Sequence, residues 1–211
     1  MQHGGLDCRP VTVNPSVWSA AATFVRAGTE HIVGGADHLL FVLCLALGAT
    51  TLGGLAWRVT GFTLGHTVTL AAGFFGYVPR AAWFAPAVET AIAVSIVVAA
   101  AAALRRTSSR APLLALTAGI GLLHGLGFSF ALRQMLQLDG PHLAVSLGAF
   151  NLGVEVGQIA FAAAVWLAML WLATRASPWQ PRVRALAACG CIAIATLWIV
   201  QRSQAILAAM S

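Results

Sequence analysis

The chain has 211 residues, of which 59% are apolar and 9% charged, and its mean hydropathy of +0.85 lies outside the range of water-soluble domains. A helix needs ~20 apolar residues to cross a bilayer, so this length accommodates about six spans with short connections. A cytosolic enzyme and a DNA-binding module are excluded. The net charge of +6 comes from arginines set singly or in small groups between apolar runs, where they meet lipid headgroups and not a nucleic-acid groove.

The expected fold is all-α, a polytopic integral membrane helix bundle with residues 1–14 as a flexible tail and 15–207 as one transmembrane domain. Residues 15–33 carry Arg26 and Glu30 and are less apolar. They read as a helix at the membrane interface or leading into the first span, with a seventh crossing as the alternative. Apolar runs follow at about 36–52, 59–78, 84–104, 112–132, 143–173 and 185–207. The breaks between them carry Gly53-Gly54, Pro79-Arg80, the RRTSSRAP stretch at 105–112, Asp139-Gly140-Pro141 and Ser177-Pro178. Six spans put Arg58, Arg105, Arg106, Arg110, Arg175, Arg182 and Arg184 on one side, and Arg9, Arg26, Arg80, Arg133 and Arg202 on the other. The larger set marks the cytoplasmic side and leaves the N-terminus outside. Cys8, Cys44, Cys189 and Cys191 show no spacing of a disulfide framework or thiolate metal site.

Four acidic residues (Glu30, Asp37, Glu89, Glu155) and four histidines (His31, His38, His66, His124) lie in or at the mouths of apolar runs. An ionised carboxylate at the bilayer centre costs at least ~3 kcal/mol on insertion scales, so these groups need one another, water or a metal. His31 and His38 are seven residues apart and share a face if the helix continues. If it breaks at Gly34-Gly35, His31 folds back towards Asp37 and His38, making a ligand set for a divalent ion of the later first row. Three further runs combine a small-xxx-small pair with a polar residue: Gly61/Gly65 with His66, Gly121/Gly125 with His124, and Gly153/Gly157 with Glu155. Asn151, Glu155 and Gln158 form one stripe facing the bundle interior. Depth arranges these groups as a ladder, with Asp37, His38 and Glu89 outermost and His66, His124, Asn151 and Glu155 nearer the middle. Oxygen and nitrogen donors without a thiolate suit Ni²⁺, Co²⁺, Zn²⁺, Fe²⁺ or Mn²⁺. Phe62-Thr-Leu-Gly65 also echoes Phe150-Asn-Leu-Gly153, and three spans per half would make the halves inverted repeats. The last run, 185–207, holds no ionisable residue before Arg202 and reads as scaffold.

The motifs HIVGGADHLLF, FTLGHTVTL, VETAIAVSI, LLHGLGF and FNLGVEVGQ, in this order over about residues 24–165, together resemble the HupE/UreJ family of bacterial membrane proteins. The resemblance implies a nickel or cobalt permease of the bacterial inner membrane, often encoded near hydrogenase or urease, with a metal ion and the lipid bilayer as partners. It implies that His31, Asp37 and His38 form the family's His-x5-Asp-His metal-binding element. His66, Glu89, His124, Asn151, Glu155 and Gln158 stand at the other motif positions, with Glu30 in support. The expected function is uptake of a divalent metal, Ni²⁺ first, by a secondary transporter, since no G-x-x-x-x-G-K-[ST] motif is present. Rival readings are an intramembrane zinc or iron enzyme using the same cluster, and an assembly partner for a metallocentre.

Overall fold

The computed structural model describes residues 16–79, 81–105, 110–135, 143–176 and 178–210. Among them the chain forms seven α-helices and no strand: α1 (Val17–Gly34), α2 (Ala36–Gly48), α3 (Leu52–Phe74), α4 (Phe84–Arg105), α5 (Arg110–Met135), α6 (Leu143–Arg175) and α7 (Gln180–Met210). The expected tail and the break at 139–141 lie outside the described residues.

Helix starts follow local chemistry as much as apolarity. α3 begins at Leu52, ahead of the apolar run, because the Thr51 hydroxyl accepts from the Gly54 N–H at 3.1 Å and caps the helix. Gly53-Gly54, expected as a break, therefore form its first turn. Pro86 and Pro181 fall in the first turns of α4 and α7, where the missing N–H has no intrahelical partner to lose.

Phe84–Arg105, Ala144–Arg175 and Gln180–Met210 are each long and apolar enough to cross a bilayer. The α1–α2 pair meets the same condition as one span bent by 79°. A shorter apolar segment, Leu113–Phe128, lies within α5, while α3 interrupts its apolar surface with Arg58, His66 and several threonines. The protein is a helical membrane protein.

Two helix pairs meet backbone to backbone. A Cβ on Gly65 of α3 would land on the Ala118 carbonyl of α5, and one on Gly121 of α5 would land on the Phe62 carbonyl of α3. From Gly61 to Gly65 the facing residues advance from Leu114 and Thr117 to Ala118 and Leu122, so the helices run parallel. In the second pair a Cβ on Gly28 of α1 would strike the Phe150 carbonyl of α6, and one on Gly153 the Val25 carbonyl. Gly157 then meets Thr29 and Ile32, so α1 and α6 are parallel too. Between the pairs the register reverses, since Thr67 meets Asn151 whereas Thr63 meets Gln158.

The two FxLG segments occupy corresponding places, each Phe carbonyl receiving a glycine of its partner helix. The packing counterpart of α5 is α1, not the run 36–52. Gly28 lies three residues before His31 as Gly121 lies three before His124, and both glycines sit at closest approach. α2, inserted after the bend, packs on α4 and α6, while α4 lies along α7. Phe41, Val42, Phe62, Ile96 and Ala100 fill the core between these elements.

Candidate metal centre

The centre is made by a break, a bend and two glycine contacts. Gly35, with φ −93° and ψ 101°, interrupts the helix between His31 in the last turn of α1 and His38 in α2. A Cβ there would lie 2.7 Å from His38 Nδ1 and 2.9 Å from the His31 carbonyl oxygen, so only glycine admits this approach. The bend brings the His31 and His38 rings to 4.6 Å. His66, next to Gly65 at the α3–α5 contact, stands with its ring 6.2 Å from each. His124 lies with its ring 5.0 Å from His38.

Ring nitrogens of His31, His38 and His66 lie within 4.8 Å of one another. Nitrogen ligands bind a first-row ion at about 2.0–2.1 Å, so small ring rotations gather these donors around one ion. The other ring atoms show which lone pairs are available. His124 Nδ1 lies 3.0 Å from the Ile120 carbonyl, which only accepts, so this nitrogen carries the proton and Nε2 is a bare donor. His66 Nδ1 faces Asn151 Oδ1 at 3.5 Å, and the Asn151 amide is oriented by its N–H donating to the Leu147 carbonyl at 2.9 Å. The Nε2 atoms of all four histidines are buried without a hydrogen-bond partner. Buried polar atoms are otherwise almost always satisfied, and four unpartnered imidazole nitrogens in one cluster of rings are the signature of a ligand site. Phe41, Phe62, Phe128 and Phe150 wall it, with the Phe128 ring 3.7 Å from His31.

The pattern described as HupE / UreJ protein matches residues 8–202, nearly the whole described chain. The chain belongs to the HupE/UreJ family. Comparisons with curated proteins and with solved structures each find no match. The family match runs past the quoted motifs into the last helix. HupE/UreJ membership, together with the histidine cluster, points to nickel- or cobalt-related transport or accessory function.

In this HupE/UreJ protein the histidines are gathered in one cluster, where a ladder is expected from depth, because the 79° bend at Gly35 turns α2 across the end of α1 and sets His38 beside His31. Asp37 is directed away from them. Its two carboxylate oxygens accept from Arg202 Nη2 at 3.1 and 3.0 Å. Glu89, largely exposed, lies 3.9 Å from Arg202 Nε. Arg202 thus gives α7 a polar role that the scaffold reading misses. Glu30 turns outward to Arg26, 2.7 Å away.

Glu155 and Gln158 lie on α6, where Thr60 donates to Glu155 Oε1 at 3.0 Å and Thr63 Oγ1 stands 3.3 Å from Gln158 Oε1. Thr67 Oγ1 is 2.9 Å from Asn151 Oδ1. The polar stripe of α6 is therefore matched by a threonine stripe on α3 whose spacing, 60-63-67, is a helical face visible in the sequence. Among the described residues the carboxylates are not part of the histidine group.

Proposed function

We propose that this protein is a secondary transporter that takes up a divalent transition metal, Ni²⁺ or Co²⁺, as its cargo. His31, His38 and His66 hold the ion with His124 beside them, and Asp37 and Glu89 form the outer mouth. The α3–α6 polar seam of Thr60, Thr63, Asn151, Glu155 and Gln158 carries the ion onward. The observation that carries this reading is the group of imidazole nitrogens within 4.8 Å of one another, whose Nε2 atoms have no other partner. Imidazole donors with no carboxylate in their group, among the described residues, add no negative charge to trap the ion, and a permease needs a site that holds metal and releases it. The antiparallel relation of the α1–α6 and α3–α5 pairs supports an inverted-repeat plan with six crossings, α1 and α2 sharing one, and the arginine bias between the two sides supports an N-terminus outside the inner membrane.

The test is saturable uptake of ⁶³Ni²⁺ into liposomes holding the purified protein, with Co²⁺ and Zn²⁺ as competitors, beside the metal content of the protein in detergent. Competitive flux with weakly retained metal supports the transporter. One tightly held ion per chain with no flux would favour an intramembrane metalloenzyme and sink the transport reading.

A further inference from the structure

We infer that Arg202 is a positioning residue that latches the outer mouth, its guanidinium filling the place between Asp37 and Glu89 that an incoming cation must take. The inference deepens the transport reading and rests on it. Three helices meet at this guanidinium. Nη2 binds both carboxylate oxygens of Asp37 on α2, at 3.1 and 3.0 Å. Nη1 donates to the Glu89 carbonyl of α4 at 2.9 Å, and Nε lies 3.9 Å from the Glu89 carboxylate. The planar group also stands 5.0 Å over the Trp198 ring, which favours a cation there. The Arg202 and Asp37 side chains are only 20% and 23% exposed, so this pair is screened far less than a surface ion pair.

The position of Asp37 gives the latch its consequence. Asp37 lies in the first turn of α2, where the helix dipole already favours an anion, and the next residue is His38. Holding Asp37 fixes the turn that presents His38 to His31. Releasing it frees the α2 end of the bend and uncovers two carboxylates of opposite charge to the cargo. A doubly charged ion displaces a singly charged guanidinium from such a pair, whereas a monovalent ion gains nothing by the exchange. Lysine cannot replace the planar fork, which reaches Asp37 and the Glu89 carbonyl at once.

The experiment uses the full chain in detergent as wild type, Asp37→Asn, Arg202→Gln, the double variant and Arg202→Lys. Hydrogen exchange is read over residues 36–40, and Ni²⁺ release is timed after NiCl₂ loading and a chelator chase. The three neutralised proteins are expected to exchange faster than wild type, on the order of tenfold, with the double variant no faster than the faster of the two single variants, since all three lose the same largely buried pair. They are expected to release Ni²⁺ faster by a similar factor while still binding it, with Arg202→Lys intermediate. Additive effects in the double variant would overturn the latch, because one shared contact can be lost only once. Loss of Ni²⁺ binding in Asp37→Asn with retention in Arg202→Gln would also overturn it, making Asp37 a ligand. If wild type binds no Ni²⁺, the metal reading fails, while additive or non-additive exchange in the double variant still decides the latch.

Discussion

Gly119 and Gly121 are two residues apart on α5, yet substitution by alanine should act on them in opposite directions. A Cβ on Gly119 meets no atom within 4 Å, whereas one on Gly121 would land on the Phe62 carbonyl and 2.9 Å from the His66 nitrogen. Both obstacles are backbone atoms inside α3, so neither can turn aside and the helices must part by roughly 1 Å to restore ordinary contact. A gap of that size forfeits about a quarter to a half of the dispersion energy of each facing atom pair, and overpacking of this kind costs about 1–3 kcal/mol. Gly119→Ala carries only the propensity gain, at most about 1 kcal/mol. The separation at Gly121 also carries His124 away from the other histidines, one turn along the same helix. Unfolding followed by circular dichroism in mixed micelles, with Ni²⁺ affinity measured by calorimetry, should find Gly121→Ala less stable and weaker in metal binding, and Gly119→Ala unchanged or more stable in both respects. Equal stabilities for the two variants would falsify the account of backbone-on-backbone packing.

Ni²⁺ at a hundred times its Kd should raise the unfolding free energy of the wild type by about 2.7 kcal/mol. The same protein with His38→Ala should gain far less; an undiminished gain would place the ion elsewhere. Gly35→Ala should weaken Ni²⁺ binding by calorimetry, because its Cβ would press on His38 Nδ1 at 2.7 Å, whereas Gly34→Ala, with nothing within 4 Å, should bind as the wild type does. Thr60→Val removes the donor to Glu155 Oε1 at 3.0 Å without touching the histidines, so liposome uptake should fall while Ni²⁺ affinity holds. A parallel loss of affinity would move Glu155 into the ion's binding set.

The helices and the histidines that cluster were legible in the sequence for different reasons. Apolar runs locate helices because a bilayer demands length and composition, and those are local properties. The four histidines could be picked out because a ring nitrogen inside an apolar run needs a partner. Their convergence depended on Gly35 yielding a bend where a continuous helix was equally available. The link from Asp37 to Arg202 spans 165 residues of chain, and nothing near either residue announces the other. α1 looked too polar for the interior because Arg26 and Glu30 lie on it, but both turn outward. Its opposite face, through Gly28, seats on α6. Gly28 stands outside any small-xxx-small pair, so spacing could not reveal the contact, whereas Gly65, Gly121 and Gly153 were readable from theirs.

The interruption at Gly35 also leaves main-chain groups without helical partners. The last carbonyls of α1 cannot be taken up by a following turn, apart from Ile32, which accepts from the Gly35 N–H at 3.3 Å. They leave the negative end of a helix beside His31. The positive end of α2 begins at the next residue, so the two helix ends oppose each other at the break and the backbone alone gives a cation no net hold. Stripped of its imidazoles, the site should therefore lose its hold on cations altogether, the backbone of the break having contributed placement and the histidines both affinity and selectivity.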